Sequence, residues 1–205
     1  KPIAHAPGQF VFLTLRRKGR KSEEHPFTIS SSPAADGAFT VTVKKSGVFT
    51  NTIDRTAAGD GALVEGPFGR FSYVHTDAQE FLFIAGGVGI TPIMSMLRTL
   101  RDTGDARPAV LIFANKTGRD ILFRDELSKL PANVQVVHVL SQAPDDWRGP
   151  TGYVTAEVLT EHAGAMLKSA EVYLCGPPPM MDAVTVSLRS LGVPNRRIHT
   201  ERFAL

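Results

Sequence analysis

The stretch FLFIAGGVGITPIMSM, from Phe81 to Met96, decides how this chain folds. It opens with the unbroken apolar run Phe81–Ala85, which predicts a β-strand that is buried on both faces. Three glycines then turn the chain, Thr91 offers a hydroxyl for a helix N-cap, and Pro92 suits the first helical position. A glycine turn that opens a helix presents unpaired N–H groups and a partial positive charge, so this turn predicts a pyrophosphate site. A strand, turn and helix that bind no ligand are the alternative, because single motifs of this kind also occur without one.

Composition excludes several classes of function. The chain has 205 residues with a net charge of +3, and Cys175 is its one cysteine, which excludes an internal disulfide, a zinc–thiolate cluster and a four-thiolate iron–sulfur cluster. The six histidines are scattered singly, so we predict no metal site. Residues 1–75 hold ten basic and six acidic side chains, and the basic excess lies mainly in Arg16–Lys21. Such a run is either a solvated loop or a surface that attracts an anionic membrane or partner.

The periodicity changes near residue 76, which predicts two domains. Residues 1–76 are rich in Val, Phe and Thr with frequent turn clusters, and they predict a small antiparallel β-barrel with a short helix at Asn51–Ala58. Residues 77–205 alternate strands with helices, and they predict a five-stranded parallel sheet with helices on both faces. The predicted barrel strands are Gly8–Arg16, His25–Ser32, Ala38–Lys45, Ala62–Glu65 and Arg70–Val74. The predicted strands of the parallel sheet are Phe81–Ala85, Ala109–Ala114, Val134–Leu140, Glu171–Cys175 and Arg197–Phe203. The predicted helices are Pro92–Arg101, Leu122–Leu130, Val154–His162 and Met180–Leu191.

Four motifs, taken in order, resemble those of the ferredoxin–NADP reductase superfamily. They are HPFTISS at His25–Ser31, EGPFG at Glu65–Gly69, GGVGITP at Gly86–Pro92 and CGPPPM at Cys175–Met180. Most members of that superfamily carry Arg-x-Tyr-Ser/Thr where this chain has His-Pro-Phe-Thr. The variant resembles the cytosolic dehydrogenase domain of membrane ferric reductases and NADPH oxidases. The family barrel has six strands and we count five, so we expect the first strand to lie before Gly8.

The resemblance implies an FAD site in the first domain. Its flavin contacts are His25, Pro26, Phe27 and Thr28, with Phe27 against the ring system and the Thr28 hydroxyl near flavin N5. Lys44 lies where that branch places a cation for the FAD pyrophosphate, and Gly47, Phe49 and Thr50 belong to the backbone cradle beside it. An ordinary barrel strand and a solvated strand end are the alternatives for these residues.

The resemblance also implies a nicotinamide nucleotide site in the second domain. The pyrophosphate contacts are Gly86, Gly87, Val88, Gly89, Thr91 and Pro92. The nicotinamide is flanked by Thr91 and Cys175, it approaches Gly176 and Pro177 closely, and Phe203 covers the flavin face. In dinucleotide folds a basic residue after the second strand accommodates the 2′-phosphate of NADPH. Lys116 and Arg119 are available there, so we expect NADPH, with NADH possible.

The sequence therefore predicts an NAD(P)H-dependent FAD oxidoreductase in which Thr28, Cys175 and Phe203 lie at the reacting rings. The expected acceptor is a haem-bearing transmembrane domain of the same polypeptide or a small electron-acceptor protein, with the chain at the cytoplasmic face of the membrane. Three alternatives stay open: a free-standing soluble reductase, a relative that binds nucleotide without turnover, and a non-catalytic module that binds anions or nucleic acid. The sequence pI of 9.2 suggests that last alternative.

Overall fold

The computed structural model describes residues 3–17, 22–35 and 37–203, and these form two β-sheets. The first sheet is antiparallel, has the order β2–β1–β3, and lies wholly in the first third of the chain. Phe12 at its centre lies opposite Pro26 on one side and Glu65 on the other. The strands are β1 at Phe10–Arg16, β2 at Glu24–Thr28 and β3 at Gly61–Phe68.

The second sheet is parallel and has five strands in the order β6–β5–β4–β7–β8. Its strands are β4 at Phe81–Gly86, β5 at Ala109–Asn115, β6 at Val134–Leu140, β7 at Glu171–Cys175 and β8 at Ile198–Glu201. Its helices are α1 at Ile90–Thr103, α2 at Arg124–Leu127, α3 at Ala156–Ala163 and α4 at Pro178–Ser190. An antiparallel sheet followed by a five-stranded parallel sheet confirms the predicted fold class.

The β4 strand separates two hydrophobic cores. Phe81, Phe83 and Ala85 join the core that contains α1, whereas Leu82 and Ile84 join the core that contains residues of α3 and α4. All six residues of β4 are buried, as expected for a central parallel strand whose side chains alternate between two covered faces. The helices after β4 and β7 therefore lie on opposite faces of the sheet. Neighbouring strands whose helices diverge in this way form the crevice at which open α/β sheets bind ligands.

Two predicted strands of the first domain are wrong. The segment Ala38–Lys45 makes only an isolated bridge, between Val41 and Ile29. Serine side chains take part in the pairing there, because Ser30 Oγ donates to Thr40 O at 3.2 Å and Ser31 Oγ accepts from Thr40 N at 3.0 Å. Such local side-chain bonds compete with a strand ladder.

The segment Arg70–Val74 is also not a strand. It leads into a 3₁₀ turn at Tyr73–His75, and Phe71 and Tyr73 are buried in the core of the second domain. The first sheet therefore pairs three strands, rather than the five we expected, within the residues that the structure describes.

Several predicted helix boundaries differ. The helix expected at Asn51–Ala58 is a 3₁₀ turn at Thr50–Arg55, and the one expected at Leu122–Leu130 shortens to α2. The prediction that Thr91 caps α1 is wrong, as is the placing of Pro92 at the first helical position, because the helix begins at Ile90 and Gly89 is its N-cap. Thr91 instead donates its hydroxyl proton to Val88 O at 3.1 Å. Gly104 ends the helix in a left-handed conformation.

No helix among the described residues is both long and apolar enough to cross a bilayer. The basic residues Lys18, Arg20 and Lys21 lie outside the described part of the chain, so the structure gives no test of the loop they belong to.

Candidate functional site

Two turns meet at the carboxyl ends of β4 and β7. Ala85 and Cys175 are register partners there, so the glycine turn after β4 lies against the turn after β7. A Cβ placed on Gly89 would collide with Cys175 O and lie 2.7 Å from Gly176 N, and one on Gly176 would lie 3.1 Å from Gly86 N. The two backbones therefore touch directly. Only glycine allows this approach, which explains Gly89 in the first turn and Gly176 in the second.

Gly87 faces the opening of this crevice. Its φ of +51° is left-handed, and a Cβ placed on it would meet nothing within 4 Å. Next to it, Val88 is half-buried and its carbonyl is already bonded to Thr91. A turn with open space above it, followed directly by a helix N-terminus, fits a pyrophosphate group. Thr91 and Pro92 are buried, so they support the turn from beneath rather than face the opening.

Cys175 and Phe203 lie on the same side of the sheet. The Cys175 side chain has no exposed surface, and burial, reinforced by the Glu201 carboxylate, raises the pKa of its thiol. Phe203 is half-buried and packs against the same core that contains Cys175. Two residues after Cys175 in the CGPPPM motif, Pro177 is exposed. The structure thus places Cys175 beneath the crevice and Pro177 on its surface.

Glu201 is a titratable group at this site to which the motif comparison gave no role. It is the register partner of Cys175 on β8, half-buried, and its Oε2 lies 3.8 Å from where a Cβ of Gly69 would stand. Burial raises the pKa of the Glu201 carboxyl above its ordinary value of 4.5. The chain therefore carries a carboxyl that holds its proton unusually well beside the EGPFG and CGPPPM motifs.

This raised pKa predicts a pH-dependent stability. Between pH 4.5 and the higher folded-state pKa, the folded chain binds more protons at Glu201 than the unfolded chain, so its contribution to the unfolding free energy falls as pH rises. We expect Glu201→Gln to remove that decline in urea titrations without cofactor. Glu157→Gln is the control, because the Thr155 hydroxyl lowers the pKa of Glu157. The effect of Glu157 on the unfolding free energy therefore changes with pH only below pH 4.5. A decline that persists unchanged in Glu201→Gln would contradict this assignment.

The flavin motif forms β2 and the residues that directly follow it. Thr28 is buried, Phe27 is half-buried, and Pro26 is exposed at the centre of the strand. The His25 ring packs on the Phe49 ring with centroids 4.1 Å apart, and the Phe27 ring stacks near it at 6.2 Å. The structure therefore brings Phe49 together with His25 and Phe27 of the motif.

The loop at residues 46–50 is held by its own hydrogen bonds. Thr50 Oγ1 accepts from Ser46 N at 2.8 Å, and Gly47 O accepts from Asn51 N at 2.9 Å. Gly47 has a φ of +133° and open space around it. The Val48 side chain is 86% exposed, which leaves a bulky apolar group bare beside the loop. Open backbone next to an apolar surface fits a nucleotide with a phosphate and a ring.

A cation without a predicted role, Arg17, lies beside this loop. Arg17 lies over the Phe49 ring at 5.2 Å and donates from Nη1 to Thr52 O at 2.6 Å, while its Nε is buried with no partner among the described residues. Lys44 is exposed, and it lies close enough to Asp120 of the second domain to add to the lowering of that carboxyl's pKa, which comes chiefly from Thr117. In the sequence Arg17 belongs to the basic run Arg16–Lys21, whose pattern predicts either a solvated loop or a surface for an anionic partner. Arg17 directly follows β1, and the folded structure places its guanidinium against Phe49 and Thr52.

Asn115 ends β5 and is another site residue without a predicted role. Its side chain is 8% exposed, and neither Nδ2 nor Oδ1 has a hydrogen-bond partner in the described structure. An unpaired buried amide is costly, so it marks a position where a bound ligand can complete the bonding. The adjoining segment carries the exposed cations Lys116 and Arg119.

Removing the Asn115 amide should affect NAD(P)H affinity and the unfolding free energy of the chain differently. We expect Asn115→Ala to weaken NAD(P)H binding about tenfold. The reason is the loss of one hydrogen bond to the nucleotide, since a tenfold change in Kd corresponds to about 1.4 kcal/mol. The unfolding free energy of the cofactor-free chain should stay level or rise, because an unsatisfied polar group is removed. Isothermal titration and urea unfolding measure the two effects. A loss of stability with unchanged affinity would show that Asn115 serves the fold alone.

Comparisons with known proteins identify the family of each half of the chain. Residues 1–73 match the family model of the oxidoreductase FAD-binding domain, and residues 83–185 match that of the oxidoreductase NAD-binding domain. The chain is 35% identical over 202 residues to "NADH-cytochrome b5 reductase 1" of Aspergillus terreus, covering 93% of this chain and 68% of that protein. It is 34% identical over 205 residues to "Glycine betaine monooxygenase reductase subunit" of Pseudomonas aeruginosa, covering 96% of this chain and 56% of that protein.

The solved structures show the same fold. The cytochrome b5 reductase domain of Ulva prolifera nitrate reductase superposes with a TM-score of 0.85 at 22% identity, covering 98% of this chain and 86% of that one. Together with the two family models, these relatives identify the cofactors as FAD and NAD(P)H. This chain belongs to the ferredoxin–NADP reductase superfamily and is an NAD(P)H-dependent FAD oxidoreductase.

Proposed function

We propose that this chain is the dehydrogenase domain of a ferric-reductase-like or NADPH-oxidase-like membrane protein. It takes reducing equivalents from NAD(P)H and delivers them to a haem-bearing transmembrane domain of the same polypeptide at the cytoplasmic face of the membrane. The observation that carries the proposal is the motif His25-Pro26-Phe27-Thr28 on β2, because it resembles the membrane branch rather than the Arg-x-Tyr form. The single cysteine is consistent with it, since these 205 residues cannot by themselves hold a four-thiolate iron–sulfur cluster.

In this proposal each of the two domains binds one cofactor. Residues 1–76 hold FAD and residues 77–205 hold the nicotinamide nucleotide, a division supported by the family matches at 1–73 and 83–185. When bound, NAD(P)H supplies a hydride to the flavin, and the reduced flavin can pass electrons on singly. The protein's part is to place the two rings together and exclude water. We assign the positions beside the rings to Thr28, Cys175 and Phe203, with Cys175 acting from beneath the crevice as a neutral, buried thiol.

The FAD pyrophosphate requires a cation that β2 lacks, because His25 stands where most of the superfamily has arginine. We propose that Arg17 contributes this charge from the end of β1, with Lys44 at the rim. The stacking of Arg17 over Phe49 and the unpartnered Nε support this role. The bond to Thr52 O holds the guanidinium beside the loop at residues 46–50, where the open backbone at Gly47 supplies the cradle.

A membrane location is supported by charge. The basic excess of residues 1–75 lies in the flavin-binding half, from which electrons must leave. Each basic residue near an anionic surface contributes about 1 kcal/mol, which is enough to orient a tethered domain. The second candidate is a free-standing reductase that serves a small electron-acceptor protein. It is supported by the relatives, which include a cytochrome b5 reductase and a monooxygenase reductase subunit.

One experiment separates the two candidates. The whole polypeptide encoded by the gene is expressed, fractionated into membrane and soluble parts, and reduced anaerobically with NADPH. We expect haem and flavin in the membrane fraction, with haem reduced after flavin at a rate that depends on added FAD. A polypeptide without haem that stays in the soluble fraction and reduces added cytochrome b5 instead would replace our proposal with the second candidate.

A further inference from the structure

The helix α1 is bonded to the segment that directly follows the flavin motif. Ser95 Oγ donates to Ser31 O at 2.6 Å, and Arg98 Nη1 donates to Ser30 O at 2.6 Å. Both acceptors are main-chain carbonyls, two and three residues beyond Thr28. Ser30 and Ser95 are fully buried, so these bonds join the two domains in a region shielded from water.

Arg98 is bonded to a third segment at the same time. Its Nε and Nη2 donate to the two carboxylate oxygens of Glu126 at 2.8 and 2.6 Å, and its guanidinium carbon lies 4.9 Å from the centre of the Phe123 ring. Phe123 has a φ of +57°, a strained conformation for a non-glycine residue, and it directly precedes α2. A planar guanidinium with five donors can hold a carboxylate and a carbonyl together, which a lysine cannot reproduce.

These three segments carry different parts of the cofactor site. The segment at Ser30 continues from β2, α1 continues from the glycine turn, and Phe123 follows the loop with Lys116 and Arg119. The distance between a flavin on β2 and a nicotinamide at the turn therefore depends on how α1 is fixed to Ser30. Displacement of about 1 Å at a reacting centre can slow a reaction roughly 100-fold.

We infer that Arg98 is a positioning residue, which sets the separation of flavin and nicotinamide by joining Ser30, α1 and Glu126. This inference rests on the assignment of FAD to the first domain and the nucleotide to the second. Arg98 is the ninth of the 14 residues of α1. It acts through Ser30 and the helix rather than by touching either ring. Ser95 is its partner in the same role, one helical turn nearer to the glycine turn.

The test compares Arg98→Ala and Ser95→Ala with Arg101→Ala. Arg101 is the matched control, because it also donates to Glu126, at 3.0 Å, but its bonds in the described structure do not include Ser30. Stopped-flow flavin reduction at saturating NAD(P)H should slow about 10- to 100-fold in Arg98→Ala, with FAD and nucleotide affinities within threefold of the parent. The deuterium isotope effect on that step should rise as hydride transfer becomes more limiting. Arg101→Ala should keep the parental rate and isotope effect.

A second readout needs no cofactor. In the apo chain, hydrogen–deuterium exchange at Ser30–Thr42 should accelerate in Arg98→Ala and Ser95→Ala, and not in Arg101→Ala. Ser95→Ala removes one hydroxyl only, so it tests the inference even if Arg98→Ala fails to fold. Parental flavin reduction and exchange in Ser95→Ala, or equal losses in Arg98→Ala and Arg101→Ala, would overturn the inference. A parent chain that does not reduce FAD with NAD(P)H would instead contradict the assignment of the cofactors.

Discussion

Gly89→Ala is expected to destabilise the chain by about 1–3 kcal/mol, the usual cost of forcing extra volume into a packed site, and to slow flavin reduction roughly 100-fold. The φ of Gly89 is −61°, so alanine meets no backbone strain there. The whole effect comes from its Cβ, which would collide with Cys175 O and stand 2.7 Å from Gly176 N. Neither neighbour is a flexible side chain that can turn away. The two turns must therefore separate, which moves the nucleotide away from the flavin.

Gly104→Ala is the matched control for Gly89→Ala. Gly104 has a φ of +67° at the end of α1 and open space around it, so alanine there costs about 1 kcal/mol of conformational strain and no collision. Thermal unfolding of the apo proteins and stopped-flow reduction of the FAD-loaded ones measure the two variants. Comparable flavin reduction in both variants would show that contact between the two turns does not control the site.

Lys116→Glu is expected to lower the preference for NADPH over NADH about 10- to 100-fold. This range follows from a loss of roughly 1.5–3 kcal/mol, the net worth of a hydrogen bond to a charged group. We propose that the parent prefers NADPH, because Lys116 and Arg119 are exposed beside the carboxyl end of β5. The nearest acid, Asp120, is bonded through Oδ2 to Thr117 N at 2.9 Å and Thr117 Oγ1 at 2.7 Å. That bonding holds Asp120 in the turn instead of leaving it free for a ribose hydroxyl.

Lys129→Glu is the control for Lys116→Glu, because Lys129 is also exposed but lies after α2, away from β5. It makes the same change in net charge, so a selectivity shift in both variants would mean long-range electrostatics rather than a local contact. Steady-state kinetics with NADPH and NADH give the ratio of kcat/KM values for each protein. A parent that already favours NADH, the nucleotide for which the Aspergillus terreus relative is named, would contradict the proposed preference.

The parallel sheet was predictable from the sequence because its signals are local. Val134–Leu140 and Glu171–Cys175 match their predicted bounds, and the other strands of this sheet differ by a few residues at most. A strand covered on both faces needs a continuous apolar run, and glycine is needed wherever two backbones touch, so both leave marks in the sequence. The order of the four motifs was specific enough to give the family and the cofactors for the same reason.

Tertiary structure alone decided the other features. Residues 38–45 have the composition of a strand, yet Ser30 and Ser31 bond their backbone through side chains, and no local pattern encodes that choice. Arg17 and Arg98 look like ordinary surface cations in the sequence. Arg17 contacts Phe49 and Thr52, and Arg98 contacts Ser30 and Glu126. These partners lie 28 to 68 positions away along the chain. Side chains acquire such partners only when the strands and helices pack. The sequence therefore determined the family and its cofactors, and tertiary packing determined the partners of Arg17 and Arg98.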